Sequence, residues 1–518
     1  MTGKELGGKP YAANPNVRLG EGEIVTTAAP RRDFPFCGHV SRRGFIGGAL
    51  AAVAAPRLVG GQGARPNMVL GVVSDVHIGG RKGTAEALKK TLAWFEANRV
   101  DAVLCSGDIA HSGLISQLKA FADAWHSAFP GGKRSDGSPV ELLIATGNHE
   151  FPSWAGCWKN YSRERLLNES FPFEDNPKRI WDSFFGLKWE PFWRREVKGY
   201  TFFGAHWNAI RENGHFNKAL EDYMKEQARS IDPSRPFFFT QHPHPRGTCH
   251  GRFCGCADTG SATRALSAFP NAVSITGHSH CAITDERTVW QGAFTSIGAG
   301  CMHEGGSPFI YDNISAKWHS SFKKIMMAPY FDPEAWGGDP GGGACELFEV
   351  YDDHLVVHRQ SVPYGIPLGK PWTVPIPARK DKPFDFASRA KGTVAPQFPD
   401  GAKVKVDVCA EGHPHEGAGH KGEPCVCVTF PRARTMCDGG RVFEYVIEAS
   451  VQGKPVAKSL ILANGCTRPE EEGNIEGECL ISLKSLPAGQ PVVVSVVPRN
   501  SFDQVGRPIA SAPCKMPG

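Results

Sequence analysis

The chain has 518 residues, of which 41% are hydrophobic, and its formal net charge is +5. This length exceeds one ordinary domain and the hydrophobic fraction is typical of folded soluble proteins, so we expect two domains with sizeable cores. The small net charge and the lack of a dense basic block argue against a nucleic-acid groove. No run of 18 apolar residues occurs in the sequence, so it predicts no transmembrane anchor.

A twin-arginine pair near the N-terminus predicts export. Residues 41–55 contain Arg42 and Arg43, followed by a short run of small and apolar residues that resembles a bacterial Tat signal. The alternative is a surface helix that begins with two arginines. Sixteen cysteines suit an oxidising compartment. We therefore expect residues 1–64 to be an N-terminal extension with a Tat-type signal, and the protein to be periplasmic or secreted.

Residues 65–375 alternate between apolar runs and segments with helical periodicity, which predicts sheets covered by helices. The predicted helices span 84–98 and 114–129. The predicted strands span 68–73, 102–105, 142–145, 200–203, 237–239, 273–275, 346–350 and 355–358. The stretch 151–193 between two of these strands contains Trp154, Trp158, Trp181, Trp189 and Trp193. These aromatic residues either pack a cap over the sheet or flank a hydrophobic leaving group.

The proline-rich stretch 371–383, and residues 376–383 in particular, is interpreted as a linker. Beyond it no helix is predicted. Short strand candidates follow at 404–408, 426–430, 443–450, 458–462, 480–483 and 492–497. Their spacing predicts a β-sandwich over residues 384–518, and segments 442–449, 483–489 and 493–502 resemble strands of a fibronectin type III domain. We expect an accessory domain with a cell-surface or polymer partner. His413, His415 and His420 are interpreted as solvated loop residues.

Polar side chains follow five of the predicted strands. In chain order they are Asp75 and His77, then Asp108, then Asn148, His149 and Glu150, then His242, and finally His278 and His280. Each motif alone is weak, because Asp-x-His and Gly-Asp are common. Open α/β sheets place their sites at the carboxyl ends of strands, so these residues are expected to meet. A buried cluster of histidines and aspartates is costly unless it binds cations, so the sequence predicts a metal site.

The five motifs, in this order, resemble the calcineurin-like metallophosphoesterase family, which includes purple acid phosphatases and cyclic-nucleotide phosphodiesterases. The resemblance implies a four-layer αββα sandwich followed here by the C-terminal all-β domain. It also implies two transition-metal ions, of Fe, Mn, Zn or Co. One ion would be held by Asp75, His77 and His280, the other by Asn148, His242 and His278, with Asp108 bridging both. A chain ending near residue 383 is therefore expected to keep both metals.

The resemblance implies hydrolysis of a phosphomonoester or phosphodiester. Two cations about 3.5–4 Å apart activate a bridging hydroxide, which attacks phosphorus. His149 matches the family's proton donor to the leaving group, and Glu150 stands where the family usually has Asp, with the expected role of orienting the imidazole of His149. His111 occupies the position of the iron-binding Tyr of purple acid phosphatases, which argues against a tyrosinate–iron site. It lines the substrate pocket or lies solvated in a loop.

Neighbouring histidines leave some choices open. His206 could approach the site after strand 200–203, and His244 lies two residues after His242. We prefer His242 as the ligand because it directly follows a strand, and we assign His244 or His250 to the surroundings of the metals.

Two alternative functions remain at this point. The first is a phosphodiesterase acting on cyclic nucleotides or phospholipid headgroups, because the metal ligands do not determine the leaving group. The second is a non-catalytic, metal-stabilised binding protein, against which the intact His149 argues. A screen of phosphate esters separates these alternatives.

Overall fold

The structure is a computed structural model that describes residues 65–80, 83–151, 161–212, 215–249, 258–302, 344–362, 365–378, 384–410, 424–463 and 476–518. The predicted Tat-type signal, Trp154, Trp158, His250 and the histidines at 413, 415 and 420 lie outside these ranges. The described residues belong to one compact unit, Ala54–Gly518. No helix among them is long and apolar enough to cross a membrane.

The first part of the chain contains fifteen of the described strands and seven helices. The strands are β1 (Met68–Val73), β2 (Ala102–Cys105), β3 (Glu141–Ile144), β4 (Phe192–Val197), β5 (Tyr200–Ala205), β6 (Arg211–Glu212), β7 (His215–Phe216), β8 (Phe237–Thr240), β9 (Ala272–Thr276), β10 (Val289–Gln291), β11 (Thr295–Gly298), β12 (Ala344–Val350), β13 (His354–Ser361), β14 (Ile366–Pro367) and β15 (Trp372–Pro375). The helices are α1 (Thr84–Ala97), α2 (Ile115–Ala128), α3 (Arg163–Glu169), α4 (Asn176–Phe185), α5 (Trp207–Ile210), α6 (Ala219–Gln227) and α7 (Ser261–Leu266).

Two mixed sheets organise this part. The first has the order β14-β13-β12-β1-β2-β3, with β15 also paired to β13, and β1, β2 and β3 are parallel. The second has the order β10-β11-β9-β8-β5-β4, with β5, β8, β9 and β11 parallel. Because parallel strands point the same way, the residues that follow β1, β2 and β3, and those that follow β8 and β9, leave each sheet at one edge.

Buried apolar residues on both sheets explain how they pack. One core joins Leu70 of β1 to Phe238 of β8 and Val273 of β9, so the inner faces of the two sheets meet. A second core joins the opposite face of the first sheet to Phe95 of α1 and Phe121 of α2. A third joins the outer face of the second sheet to residues of α6 and α7. The strands alternate apolar residues to both faces, as expected when both are covered.

The C-terminal part is an all-β region preceded by one helix. Its elements are α8 (Phe386–Gly392), β16 (Lys405–Cys409), β17 (Cys425–Pro431), β18 (Val442–Val451), β19 (Lys454–Leu462), β20 (Glu476–Ser482), β21 (Pro491–Asn500), β22 (Ile509–Ala510) and β23 (Cys514–Lys515). They form two antiparallel sheets, β16-β17-β20 and β19-β18-β21-β22, with β23 also paired to β21.

Two expectations about this region are wrong. The wider linker interpretation, from residue 371, is wrong, because Trp372–Pro375 pairs with β13 and extends the first sheet. Proline is tolerated there because β15 ends at Pro375, on the margin of the sheet. The narrower linker, residues 376–383, stays a prediction. No helix was expected after residue 383, yet α8 forms, with Asp385 capping its first turn by accepting a hydrogen bond from Ser388 N at 3.0 Å.

The core of the C-terminal part also contains residues of the first part. Cys281 and Ala282, which directly follow His280, are fully buried in the same cluster as Val426, Ile447 and Val496. The all-β region therefore packs on the segment that follows the last predicted metal motif.

Candidate metal centre

Five of the predicted ligands have a left-handed backbone where their strands end. These residues are Asp75 (φ 50°), His77 (φ 48°), Asp108 (φ 51°), His278 (φ 69°) and His280 (φ 50°). Side chains other than glycine seldom adopt this region, and such conformations cost about 1–3 kcal/mol each. They persist where the surrounding structure fixes them, and they tend to cluster at functional sites.

The first group of side chains consists of Asp75, His77, Asp108 and His280, whose ligand atoms all lie within 4.8 Å of one another. Asp75 Oδ1 is 3.0 Å from His280 Nε2 and 3.9 Å from His77 Nε2. The Nε2 atoms of His77 and His280 are 3.0 Å apart. This arrangement of carboxylate and imidazole ligand atoms around one point is what a transition metal requires.

The second group consists of Asp108, His242 and His278, again with ligand atoms within 4.8 Å of one another. Asp108 Oδ2 lies 2.9 Å from His242 Nε2 and 3.7 Å from His77 Nε2, so this one oxygen reaches histidines of both groups. Asp108 is therefore placed as a bridging carboxylate would be.

Asn148 has an unsatisfied acceptor at the same site. Its Oδ1 is buried and has no hydrogen-bond partner among the described residues. Buried polar atoms without a partner are rare in folded proteins, and each calls for an explanation. A metal ion supplies one here, because amide oxygens are acceptable ligands. The residues present thus fit a pair of metal ions.

Backbone carbonyls fix the orientation of two rings in the site. His242 Nδ1 lies 2.9 Å from Ser106 O, and His149 Nδ1 lies 2.6 Å from His111 O. Since a carbonyl only accepts, each Nδ1 carries the proton and donates it. Nε2 is then the nitrogen left for a metal in His242 and for proton transfer in His149.

Close backbone approach requires glycine beside these ligands. A Cβ atom on Gly147 would overlap Asp108 Oδ1, and one on Gly277 would overlap Ser74 Oγ and Asp75 Oδ2. The glycines of the Gly-Asn-His-Glu and Gly-His-Ser-His motifs are thus explained by packing around the aspartates.

Burial and neighbouring charges shift the pKa values of the site in opposite directions. Burial raises the pKa of Asp75, but His280 and His242 outweigh it, and the net pKa is well below the usual range. Burial lowers the pKa of His242, yet Asp108 and Asp75 raise it to about 9. Burial, followed by the charge of His242, lowers the pKa of His278 to about 3. Asp75 is therefore ionised and His278 neutral, which are the forms that ligate metals, whereas an ion bound by His242 would have to displace its proton.

Glu150 differs from its predicted role. Its Oε2 accepts hydrogen bonds from Asp108 N at 3.1 Å and Gly147 N at 2.7 Å, and its Oε1 accepts one from Ala110 N at 2.7 Å. His149 is oriented by the carbonyl of His111 instead. The longer side chain of Glu reaches back to the loop after β2, so Glu150 positions the backbone of Asp108 and does not orient the imidazole of His149.

His111 lies in the site and is not a solvated loop residue. Ligand atoms of His77, His111 and His149 lie within 4.8 Å of one another, and the ring centroids of His111 and His149 are 5.4 Å apart. The interpretation of His111 as a residue of the pocket is the one that this geometry favours.

The other histidines support the ligand loops. His244 is buried, with Nδ1 2.7 Å from Thr276 Oγ1 and Nε2 2.7 Å from Ser279 Oγ, so it joins β9 to the loop of His278 and His280. His206 Nδ1 accepts a hydrogen bond from Thr146 N at 3.2 Å, just before the loop of Asn148. Burial lowers the pKa of His206 to about 3, in keeping with this acceptor role.

The described tryptophans of the 151–193 stretch pack rather than line an open pocket. The ring of Trp189 stacks on His206 with centroids 4.1 Å apart, and Trp181 meets both rings edge-on. Trp193 is also buried, in the core between the two sheets. This agrees with the packing interpretation for the tryptophans that the structure describes.

Sequence reasoning missed several supporting groups. Ser74 Oγ donates a 2.5 Å hydrogen bond to Asp75 Oδ2, and His278 N donates to the same oxygen at 3.0 Å. Asp108 Oδ1 accepts a 2.8 Å hydrogen bond from His149 N. The donors of His278 and His149 are backbone N–H groups, which carry no signal in the sequence, and a single serine beside Asp75 forms no recognisable motif.

Comparisons with known proteins show what this part of the chain is similar to. Residues 68–282 match the family model for calcineurin-like phosphoesterases, and these residues include all the predicted ligands. The match covers less than half of the chain. No curated protein matches the sequence.

Several solved structures are similar to part of the chain. A dimetal phosphatase from Danio rerio is 14% identical, with a TM-score of 0.35, and 61% of this chain and 100% of that chain are covered. Purple acid phosphatase PPD1 from yellow lupin (Lupinus luteus) is 15% identical, with a TM-score of 0.37, and coverage is 60% and 55%. Zinc-bound Vps29 from Entamoeba histolytica is 11% identical, with a TM-score of 0.27, and coverage is 60% and 99%.

Proposed function

We propose that the chain is a dinuclear-metal phosphoesterase that hydrolyses a phosphomonoester or phosphodiester. The observation that carries the proposal is the convergence of two ligand groups that share Asp108. Asp75, His77 and His280 would hold one ion, and Asn148, His242 and His278 the other. Bound Fe, Mn, Zn or Co ions supply Lewis-acid activation of water and of phosphate oxygens.

The residues around the metals prepare the transfer of a proton. His149 donates Nδ1–H to His111 O, so its ring is fixed and Nε2 exchanges the proton with the leaving oxygen. His111 lies beside it and lines the pocket. Glu150 holds the loops after β2 and β3 together through three backbone N–H groups, which keeps Asp108 and His149 in register.

Features outside the site complete the proposal. The packing of helices on the outer face of each sheet supports a four-layer αββα domain over residues 65–375. The two antiparallel sheets after residue 384 support an accessory sandwich of fibronectin type III type. The twin arginines and the cysteine content support export through a Tat-type signal.

A leaving-group series tests the assignment of His149. The variant His149→Ala should keep its metals and lose turnover by about 100-fold or more on alkyl phosphates, since general acid catalysis typically contributes 10²–10⁴-fold. The loss should be much smaller on nitrophenyl phosphate, whose leaving group needs little protonation. Exposed His126, on α2, gives the control variant His126→Ala, for which no loss is expected. An equal loss on both substrates would contradict the proton-donor role.

A further inference from the structure

His206 and Trp207 contact ligand loops that leave both mixed sheets, and we call these two residues the 206–207 brace. His206 directly follows β5, and Trp207 begins α5. Both side chains are buried, with exposed fractions of 0% for His206 and 6% for Trp207. Neither is a predicted metal ligand, so any effect of the brace on the metals passes through the residues that it contacts.

The first contact of the brace is with the loop after β3, which carries Asn148. Thr146 N donates a hydrogen bond to His206 Nδ1 at 3.2 Å, and Trp207 N donates one to Thr146 Oγ1 at 3.1 Å. Burial, followed by the charge of Arg195, lowers the pKa of His206 to about 3, so the ring is neutral and its Nδ1 accepts. Because Thr146 lies two residues before Asn148, the brace fixes the start of the loop that carries this ligand.

The second contact is with two imidazoles that follow strands of the second sheet. The indole of Trp207 lies beside the ring of His278, with centroids 5.6 Å apart, and beside the ring of His242, at 6.2 Å. The rings of His242 and His278 are themselves 4.8 Å apart. Because protein interiors are close-packed, an indole in this position restricts the orientations open to both imidazoles.

An aromatic cluster anchors the brace. The ring of His206 stacks on Trp189 with centroids 4.1 Å apart, and it meets the ring of Trp181, on α4, at an angle of 89°. His206 N also donates a hydrogen bond to Pro191 O at 3.0 Å. These contacts fix His206, so that it can in turn position Thr146.

The ligands of the first ion are held by different contacts. Asp75 N donates a hydrogen bond to Gly107 O at 3.1 Å, and His77 N donates one to Asp108 O at 2.9 Å. These bonds tie the loop after β1 to the loop after β2. The described contacts of the brace, in contrast, reach the ligands of the second ion.

We infer that the 206–207 brace is a positioning element for one ion of the pair. It holds Asn148, His242 and His278 in the arrangement that the second ion requires, and the first ion binds without it. The inference rests on the proposed metal pair. Loss of groups that orient metal ligands typically weakens metal binding about 10–100-fold. Variants of the brace should therefore lose the second ion and keep the first.

Equilibrium dialysis of the full chain against manganese(II) tests the inference. His206→Phe keeps an aromatic ring in the stack but removes the Nδ1 acceptor, and Trp207→Leu removes the indole from the two imidazoles. At a free manganese concentration just sufficient to fill both sites of the wild type, each variant should hold about one ion per chain. The control Trp94→Leu changes a tryptophan of equal exposure, 6%, on α1 and should hold about two.

Electron paramagnetic resonance separates the loss of one ion from the loss of folded protein. Two manganese ions that share a carboxylate couple magnetically, whereas a single ion gives the hyperfine signal of isolated manganese(II). His206→Phe and Trp207→Leu should show the isolated-ion signal. That signal should match the one from Asn148→Ala, which lacks a ligand of the second ion, and differ from the one from His77→Ala, which lacks a ligand of the first.

Three results would overturn the inference. The first is a brace variant that retains two coupled ions, and the second is one that loses both ions together. The third is an isolated-ion signal that matches His77→Ala. A wild type that takes up no metal would instead overturn the proposed metal pair, and the inference with it.

Discussion

Single side chains in the candidate metal centre bind backbone atoms as well as facing the proposed metal ions. Asp108 Oδ1 accepts a hydrogen bond from His149 N, while Asp108 Oδ2 faces His242 Nε2. Glu150 Oε2 in turn accepts a hydrogen bond from Asp108 N. The carboxylate of Asp108 reaches both ligand groups, and the carboxylate of Glu150 holds the backbone of Asp108, so the two residues depend on each other. Substituting either residue should affect more than one contact.

Glu150 gives the sharpest prediction at this scale. In Glu150→Gln one acceptor oxygen becomes an NH₂ group facing backbone N–H donors, which leaves a buried donor unsatisfied. The loss of stability should be about 1–3 kcal/mol. Thermal unfolding should show a lower Tm and weaker metal retention, whereas the exposed Glu141→Gln should change neither. Unchanged stability and metal content in Glu150→Gln would contradict the positioning role.

Residue types at the strand ends were enough to predict which side chains meet. Asp75 and Asp108 lie together because parallel strands of one sheet end at the same edge. His242 follows a strand of the second sheet and reaches them because the two sheets pack face to face. The hydrogen-bond partner of each side chain could not be predicted from the sequence. The bonds of Glu150 and His149 depend on the path of two loops, and backbone donors are the same for every sequence.

At the scale of single elements, β12 contains a group that couples stability to pH. Glu346 on this strand is fully buried, and burial raises its pKa to about 8 from the ordinary 4.5. The folded chain therefore holds this proton more tightly than the unfolded chain. The stability from this group is present below pH 4.5 and is lost as the pH rises through 8.

Glu346→Gln should remove that pH dependence. The variant should match the wild type in Tm near pH 5 and exceed it by several degrees near pH 9, because the amide never ionises. Thermal unfolding at both pH values measures the difference. The exposed Glu226→Gln serves as control and should follow the wild type. A variant less stable than the wild type at pH 9 would show that the carboxylate is charged and paired.

Elements were predictable where their periodicity was long and regular. The sequence predicts α1 at 84–98 and β1 at 68–73, and the structure gives Thr84–Ala97 and Met68–Val73. The strand Trp372–Pro375 was missed because four residues among prolines carry no periodicity, and it forms through pairing with β13. Helix α8 was missed because seven residues are too few for a helical pattern.

At the scale of the whole molecule, the two parts of the chain share a core. Cys281 and Ala282, next to His280, are buried among residues of β17, β18 and β21. The guanidinium of Arg287 also lies over the ring of Phe443, at 4.4 Å. This packing could not be predicted from the sequence, because contacts between distant segments leave no local pattern.

This shared core changes the expectation for a shortened chain. A chain ending near residue 383 would expose Cys281 and Ala282, so the segment that carries His278 and His280 should loosen. We now expect such a chain to unfold at lower temperature and to lose metal during dialysis. Full metal content and an unchanged Tm would show that the all-β region is a separate accessory after all.

The central claim is a pair of metal ions bridged by one carboxylate, and metal analysis of the purified protein tests it most directly. The wild type should contain about two transition-metal ions per chain, and Asp108→Ala should lose both the ions and the hydrolysis of phosphate esters. Asp123→Ala, at an exposed position on α2, should keep both. Two ions in a folded Asp108→Ala variant, or no ions in the wild type, would contradict the account.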